Sequence, residues 1–81
     1  MPRIIPAYRD TQFAFRLRQI MREKKVTCRK LGDALKTSHA SIGNYRSGKC
    51  EPDIELIAGM CKYLNVSADW LLGISEVRKG L

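Results

Sequence analysis

His39, Ala40, Gly43 and Asn44 fall at the i, i+1, i+4, i+5 spacing that gathers four residues on one side of a helix. Two of them carry hydrogen-bonding groups and two are small. Such a face suits a helix that lies against base edges in a nucleic-acid groove. Asn44 can donate to and accept from an adenine edge, Ala40 can meet a thymine methyl, and His39 stands where the helix begins. Around this face, the hydroxyls of Thr27, Ser38, Ser41 and Ser47 and the cations of Arg29, Lys30, Arg46 and Lys49 suit phosphate oxygens. Other chemistry is poorly served. The chain has a single histidine, no clustered carboxylates and no glycine-rich phosphate loop, so no enzyme is expected. Cys28, His39, Cys50 and Cys61 are evenly spread rather than closely paired like zinc ligands, and neither a metal nor a cofactor is expected.

The outward face needs an anchor on the opposite side. In the segment from His39 to about Ser47 the apolar anchors are Ile42 and Tyr45, three residues apart. Ser38 or Thr37 caps this helix, and Gly48 suits its left-handed end. Gly43 weakens it by about 1 kcal/mol relative to alanine, so packing must hold it in place. The helix before it runs from Cys28 to about Leu35, capped by Thr27. Leu31, Ala34 and Leu35 lie on one face, and Gly32 fits a site where another helix packs closely. Lys36-Thr37-Ser38 forms the turn between the two helices.

Three further helices complete the core. Asp10 is read as the N-cap of the first, whose stripe is Phe13, Leu17, Ile20 and Met21, with Arg16, Arg18, Arg22 and Glu23 on other faces. This helix should end near Lys24 or Lys25, where cations suit its dipole. Asp53 caps a fourth helix with the stripe Ile54, Ile57, Cys61 and Leu64, flanked by Leu56 and Met60. Ser67 opens a short fifth helix, whose Trp70, Leu71 and Leu72 should close the core. Residues 1–9 read as an extended arm, residues 10–73 as the domain and residues 74–81 as a tail. The fold class is all-α, a compact bundle of five helices.

Charge points the same way. Lys and Arg number 15 against 8 Asp and Glu, a net of +7. From Lys24 to Lys49, seven Lys and Arg face only Asp33, a net of +6; from Pro52 to Leu81 the balance is −1. The positive field belongs to the two-helix segment, as expected for a partner rich in phosphate. Three unpaired cysteines fit a reducing compartment, so a cytoplasmic protein is expected. No apolar run approaches 18 residues, and no membrane partner or small-molecule substrate is expected.

Taken in order, these residues resemble the Cro and phage-repressor type of helix-turn-helix, the XRE family. The resemblance spans Leu17 to Gly73. It rests on Leu31 and Leu35, Ser38, Ile42-Gly43-Asn44-Tyr45, Gly48-Lys49, Pro52, Ile54, Leu64-Asn65-Val66-Ser67 and Asp69-Trp70-Leu71-Leu72-Gly73. It implies a lambda-repressor-like DNA-binding domain that regulates transcription, most often as a repressor. Such a domain reads the major groove of double-stranded DNA with the helix at about residues 38–47, as a homodimer on a palindromic operator. The family's base-reading positions fall on His39, Ala40, Gly43 and Asn44, and its phosphate-clamping positions on Thr27, Cys28, Ser38, Arg46 and Lys49. Three positions depart from the pattern. Cys28 replaces the usual glutamine, Gly32 the usual alanine, and Lys36 the usual turn glycine, so a lysine must take a left-handed conformation there. The alternative is an antitoxin-type or protein-interaction helix-turn-helix with DNA binding secondary.

Overall fold

A computed structural model describes residues 11–78. The proposed arm at residues 1–9, with Arg3 and Arg9, and the Asp10 cap lie outside the described residues. Five helices follow one another: α1 (Gln12–Lys24), α2 (Cys28–Leu35), α3 (His39–Ser47), α4 (Ile54–Leu64) and α5 (Ala68–Leu71). Each begins behind a residue whose side-chain oxygen accepts an amide of the first turn. Thr11 takes the amide of Ala14, Thr27 that of Lys30, Ser38 that of Ser41, Asp53 that of Leu56 and Ser67 that of Trp70. The first of these caps is therefore Thr11, one residue after the position read from the sequence. A hydroxyl at the residue before Gln12 satisfies the orphan donor equally well.

The helix ends share a second device. Lys25, Lys36, Gly48 and Asn65 are all left-handed and fold the next amide back onto the helix. Lys36 sits at φ 57°, the strained conformation expected where glycine is usual. Lys36→Gly is expected to stabilise the domain by about 1 kcal/mol, because glycine carries no Cβ penalty in this region. A urea titration of the two proteins checks this.

The core takes Leu17, Ile20 and Met21 from α1, Leu31 from α2, Ile42 from α3, Met60 and Leu64 from α4, and Trp70 and Leu71 at the C-terminal end. Besides Ala34, which is exposed on α2 although Leu31 and Leu35 beside it pack inward, three expectations need correction. Ile54 is 84% exposed, while Met60, read as flanking, is fully buried. α4 crosses α2 near Gly59, where an added Cβ would lie 2.8 Å from Leu35 Cδ2. Ile54 stands five residues earlier, about 7 Å along the axis, and falls beyond the edge of the core. Leu72 is 41% exposed, because α5 ends at Leu71 and the chain turns away at Gly73.

The third correction concerns Arg16, read as surface and found 8% exposed. Its guanidinium donates to the Trp70 carbonyl at 2.7 Å, the Ser75 carbonyl at 2.9 Å and the Glu76 carboxylate at 3.0 Å. Residues 74–78, read as a tail, run back along α1 and α5 as a strap. Ser67 donates its amide to the Arg78 carbonyl and its hydroxyl to the Val77 carbonyl. Arg78 pairs with Glu23 and holds its carboxyl below the usual range. The guanidinium groups of Arg16 and Arg78 both stand over the Trp70 indole, at 5.0 and 5.1 Å.

Candidate nucleic-acid interface

The interface is built on the α2–α3 pair. Leu31 and Ile42 are fully buried, and Leu35 and Tyr45 pack against the same cluster. Gly32 makes the close approach possible. A Cβ there would lie 2.8 Å from the Thr37 carbonyl oxygen and 3.2 Å from the His39 amide nitrogen. The turn and the first residue of α3 rest directly on the bare backbone of Gly32. The element that approaches is thus the connecting turn rather than the body of another helix.

With its inner side fixed, α3 leaves His39 and Ala40 exposed and Asn44 partly exposed. A Cβ built on Gly43 meets nothing within 4 Å, so this glycine opens the outer surface and serves no internal contact. The side chains of His39 and Asn44 have no hydrogen-bond partner among the described residues. The outcome is a shallow face with two free polar groups at its ends and little bulk between them.

The residues read as phosphate contacts divide into three kinds. Arg29, Lys30 and Lys49 are exposed cations. Thr27 and Ser38 are engaged as caps, and the Ser41 hydroxyl lies 2.8 Å from that of Ser38. The Thr27 and Ser38 oxygens accept from helix amides, which leaves the Thr27 proton and one of the two protons of the Ser38–Ser41 pair for other acceptors. Ser47 is turned inward, donating its hydroxyl to the Asn44 carbonyl at 3.1 Å, and its donor is committed within the helix. Arg46 is half-buried, its guanidinium donating to the Cys28 sulfur at 3.3 Å.

Arg46 and Cys28 also line an open groove together with Arg18, Arg22, Lys25 and Thr27. Thr27 and Cys28 are the cap and first residue of α2, so cations and a helix N-terminus meet at one depression. Arg18, Arg22 and Lys25 were not singled out from the sequence. Their spacing carries a signal: Arg18 and Arg22 stand at i, i+4 on α1, away from its apolar stripe, and Lys25 ends the helix beside them. By contrast, Cys28, His39, Cys50 and Cys61 are not gathered. Among the described residues no group of three or more His, Cys, Asp or Glu could hold a metal ion. Cys61 is partly buried on α4, and burial pushes its thiol up.

The model of a family described as a helix-turn-helix domain matches residues 12–71, which takes in all five helices. The chain belongs to this helix-turn-helix family. Its relatives include an uncharacterized HTH-type transcriptional regulator, YobD, of Bacillus subtilis (strain 168), 26% identical over 61 residues. That alignment covers 75% of this chain and 54% of YobD, so the chain spans about half the length of the curated relative it matches. The P22 c2 repressor protein, solved in complex with synthetic operator 9T, has the same fold. The TM-score is 0.74 at 24% identity, over 83% of this chain and 100% of the repressor chain. The helix-turn-helix family expected from the sequence therefore holds, and so does the all-α, lambda-repressor-like architecture. In this helix-turn-helix the second helix of the motif is α3, and the outward face just described lies on it.

Proposed function

We propose that this chain binds double-stranded DNA in a sequence-specific manner and regulates transcription, acting as a repressor. α3 lies in the major groove, with His39, Ala40, Gly43 and Asn44 toward the bases. Thr27, Cys28, Arg29, Ser38, Ser41, Arg46 and Lys49 stand along the phosphates, joined by Arg22 of α1 and by Lys25 at its end; Ser47, its hydroxyl committed to the Asn44 carbonyl, lies beside them without a free donor. The observation that carries this reading is the juxtaposition of an open polar face at Gly43 with a cationic groove at the start of α2. An operator complex of a repressor with the same fold supports it. Two copies acting on a palindromic operator fit the run of exposed apolar residues after α5: Leu72, Ile74 and Val77. The place of action is the cytoplasm. Among the described residues no helix is long and apolar enough to cross a membrane.

Selection of bound duplexes from a random pool tests the proposal directly and, through half-site spacing, tests the dimer. On the selected duplex, Asn44→Ala is expected to lose roughly 1–3 kcal/mol and to relax preference at the base it reads. Lys49→Ala should weaken every duplex alike and reduce the slope of log K against log salt by about 1. Unchanged sequence preference in Asn44→Ala would remove this residue from the reading face. A chain that selects no duplex at low salt, yet forms a stable complex with another protein, would instead favour the interaction-module reading.

A further inference from the structure

α3 is the helix whose pose matters most to the proposed reading, and it is poorly able to hold itself. It has nine residues, a glycine near its centre and a single fully buried side chain, Ile42. Its last carbonyls must find donors outside the helix. The Asn44 carbonyl accepts from the Lys49 amide and the Ser47 hydroxyl, and the Tyr45 carbonyl from the Gly48 amide. The Arg46 carbonyl is met from a different helix: Arg18 Nη1 of α1 donates to it at 2.8 Å. A guanidinium at that end of α3 also opposes the negative end of the helix dipole. The Phe15 ring lies 5.9 Å from the Arg18 guanidinium and supports it.

The connection continues into α2. Arg46, whose carbonyl receives Arg18, sends its own guanidinium to the Cys28 sulfur at 3.3 Å. One residue at the end of α3 thus joins α1 through its backbone and α2 through its side chain. We propose that Arg18 is a positioning residue for sequence discrimination. It clamps the C-terminal end of α3 through the Arg46 carbonyl and so sets the angle at which the His39–Asn44 face meets the bases. This rests on the DNA reading above. The lever is long: eight residues from Ser47 to His39 span about 12 Å at 1.5 Å per residue. A small tilt at the clamp displaces His39 from hydrogen-bonding range.

The test uses fluorescence anisotropy on the duplex recovered by selection and on an unrelated duplex, across a salt series. The proteins are the parent chain, Arg18→Met and Arg18→Lys. Arg18→Met is expected to lose roughly tenfold or more of the selected-over-unrelated ratio, the size of one misread base pair, a change that loss of a groove charge alone does not produce, since that weakens both duplexes alike. Arg18→Lys keeps a donor and the charge with a different reach, and should fall between the two. The Gly48 and Lys49 amides should exchange with deuterium faster in Arg18→Met, as the last turn of α3 loosens. An equal loss on both duplexes, with a salt slope shallower by about 0.9, would make Arg18 a phosphate contact and overturn the proposal. If Arg18→Met does not fold, Arg18→Lys decides alone: a lowered ratio supports the clamp, and a parental ratio overturns it. A parent chain with no preferred duplex overturns the DNA reading instead, and the exchange rates still show whether Arg18 holds α3.

Discussion

Arg16→Ala should lower the stability of the domain by roughly 3–4 kcal/mol, since each hydrogen bond from a charged donor contributes about 1.5–3 kcal/mol. Two backbone carbonyls, of Trp70 and Ser75, depend on this guanidinium at 2.7 and 2.9 Å. Removing it leaves both acceptors short of a donor, the Trp70 carbonyl in a buried site and the Ser75 carbonyl in a partly buried one. For a chain of this size the midpoint of thermal unfolding should fall by roughly 20 °C. The strap formed by residues 74–78 should come away from α1 in the same variant. Trp70, the only tryptophan, then loses a guanidinium from over its ring, so its fluorescence reports the release. Glu76→Gln supplies the contrast. The Glu76 side chain is 89% exposed, and a surface ion pair of that kind contributes about 0–1 kcal/mol. A loss below about 1 kcal/mol in Arg16→Ala would mean that the strap is held by other contacts, and the structural role given to Arg16 would fall.

Gly32→Val should cost about 3 kcal/mol, the upper range for forcing extra carbon atoms into a filled site. The obstacle is backbone on both sides, the Thr37 carbonyl oxygen and the His39 amide, and neither can rotate aside as a side chain would. The turn and the start of α3 must move, so duplex binding should fail along with stability. Gly43 behaves in the opposite way. With nothing within 4 Å of its Cβ position, Gly43→Ala should stabilise the isolated domain by about 0.5–1 kcal/mol, the ordinary gain in a helix. Gly43→Leu should likewise leave the fold intact, but it fills the outward face and should abolish binding to the selected duplex. Two glycines eleven residues apart are thus separable by denaturation and duplex titration on the same samples. A stable, DNA-binding Gly32→Val protein would contradict the close approach on which the geometry of the motif depends.

Much of this protein is determined by its sequence through local physics. Caps at Thr27, Ser38, Asp53 and Ser67 require only a short side-chain oxygen next to the first free amides, which is a relation between neighbours. The stripes of α1 and α2 follow from helical period, and so does the side of α3 occupied by His39, Ala40, Gly43 and Asn44. The left-handed turn at Lys36 is likewise local, since the helix must end where its period breaks. These relations act over four residues or fewer, and the chain states them directly.

Other features were decided only when the helices met. Period placed Ile54 on an apolar stripe and apolar character placed Leu72 in the core, but exposure depends on how far a neighbouring element extends, and both lie past the edge of the core. Arg16 shows the reverse. A charge on α1 reads as surface until carbonyls from positions 70 and 75, more than fifty residues away, come within hydrogen-bond range and make burial affordable. The groove around Cys28 is of the same kind, assembled from cations on α1, the start of α2 and the end of α3. So is the clamp of Arg18 on the Arg46 carbonyl, since a backbone acceptor has no residue type to announce it. Contacts between distant segments depend on crossing angles and helix ends, which the pattern of residues along one helix does not encode.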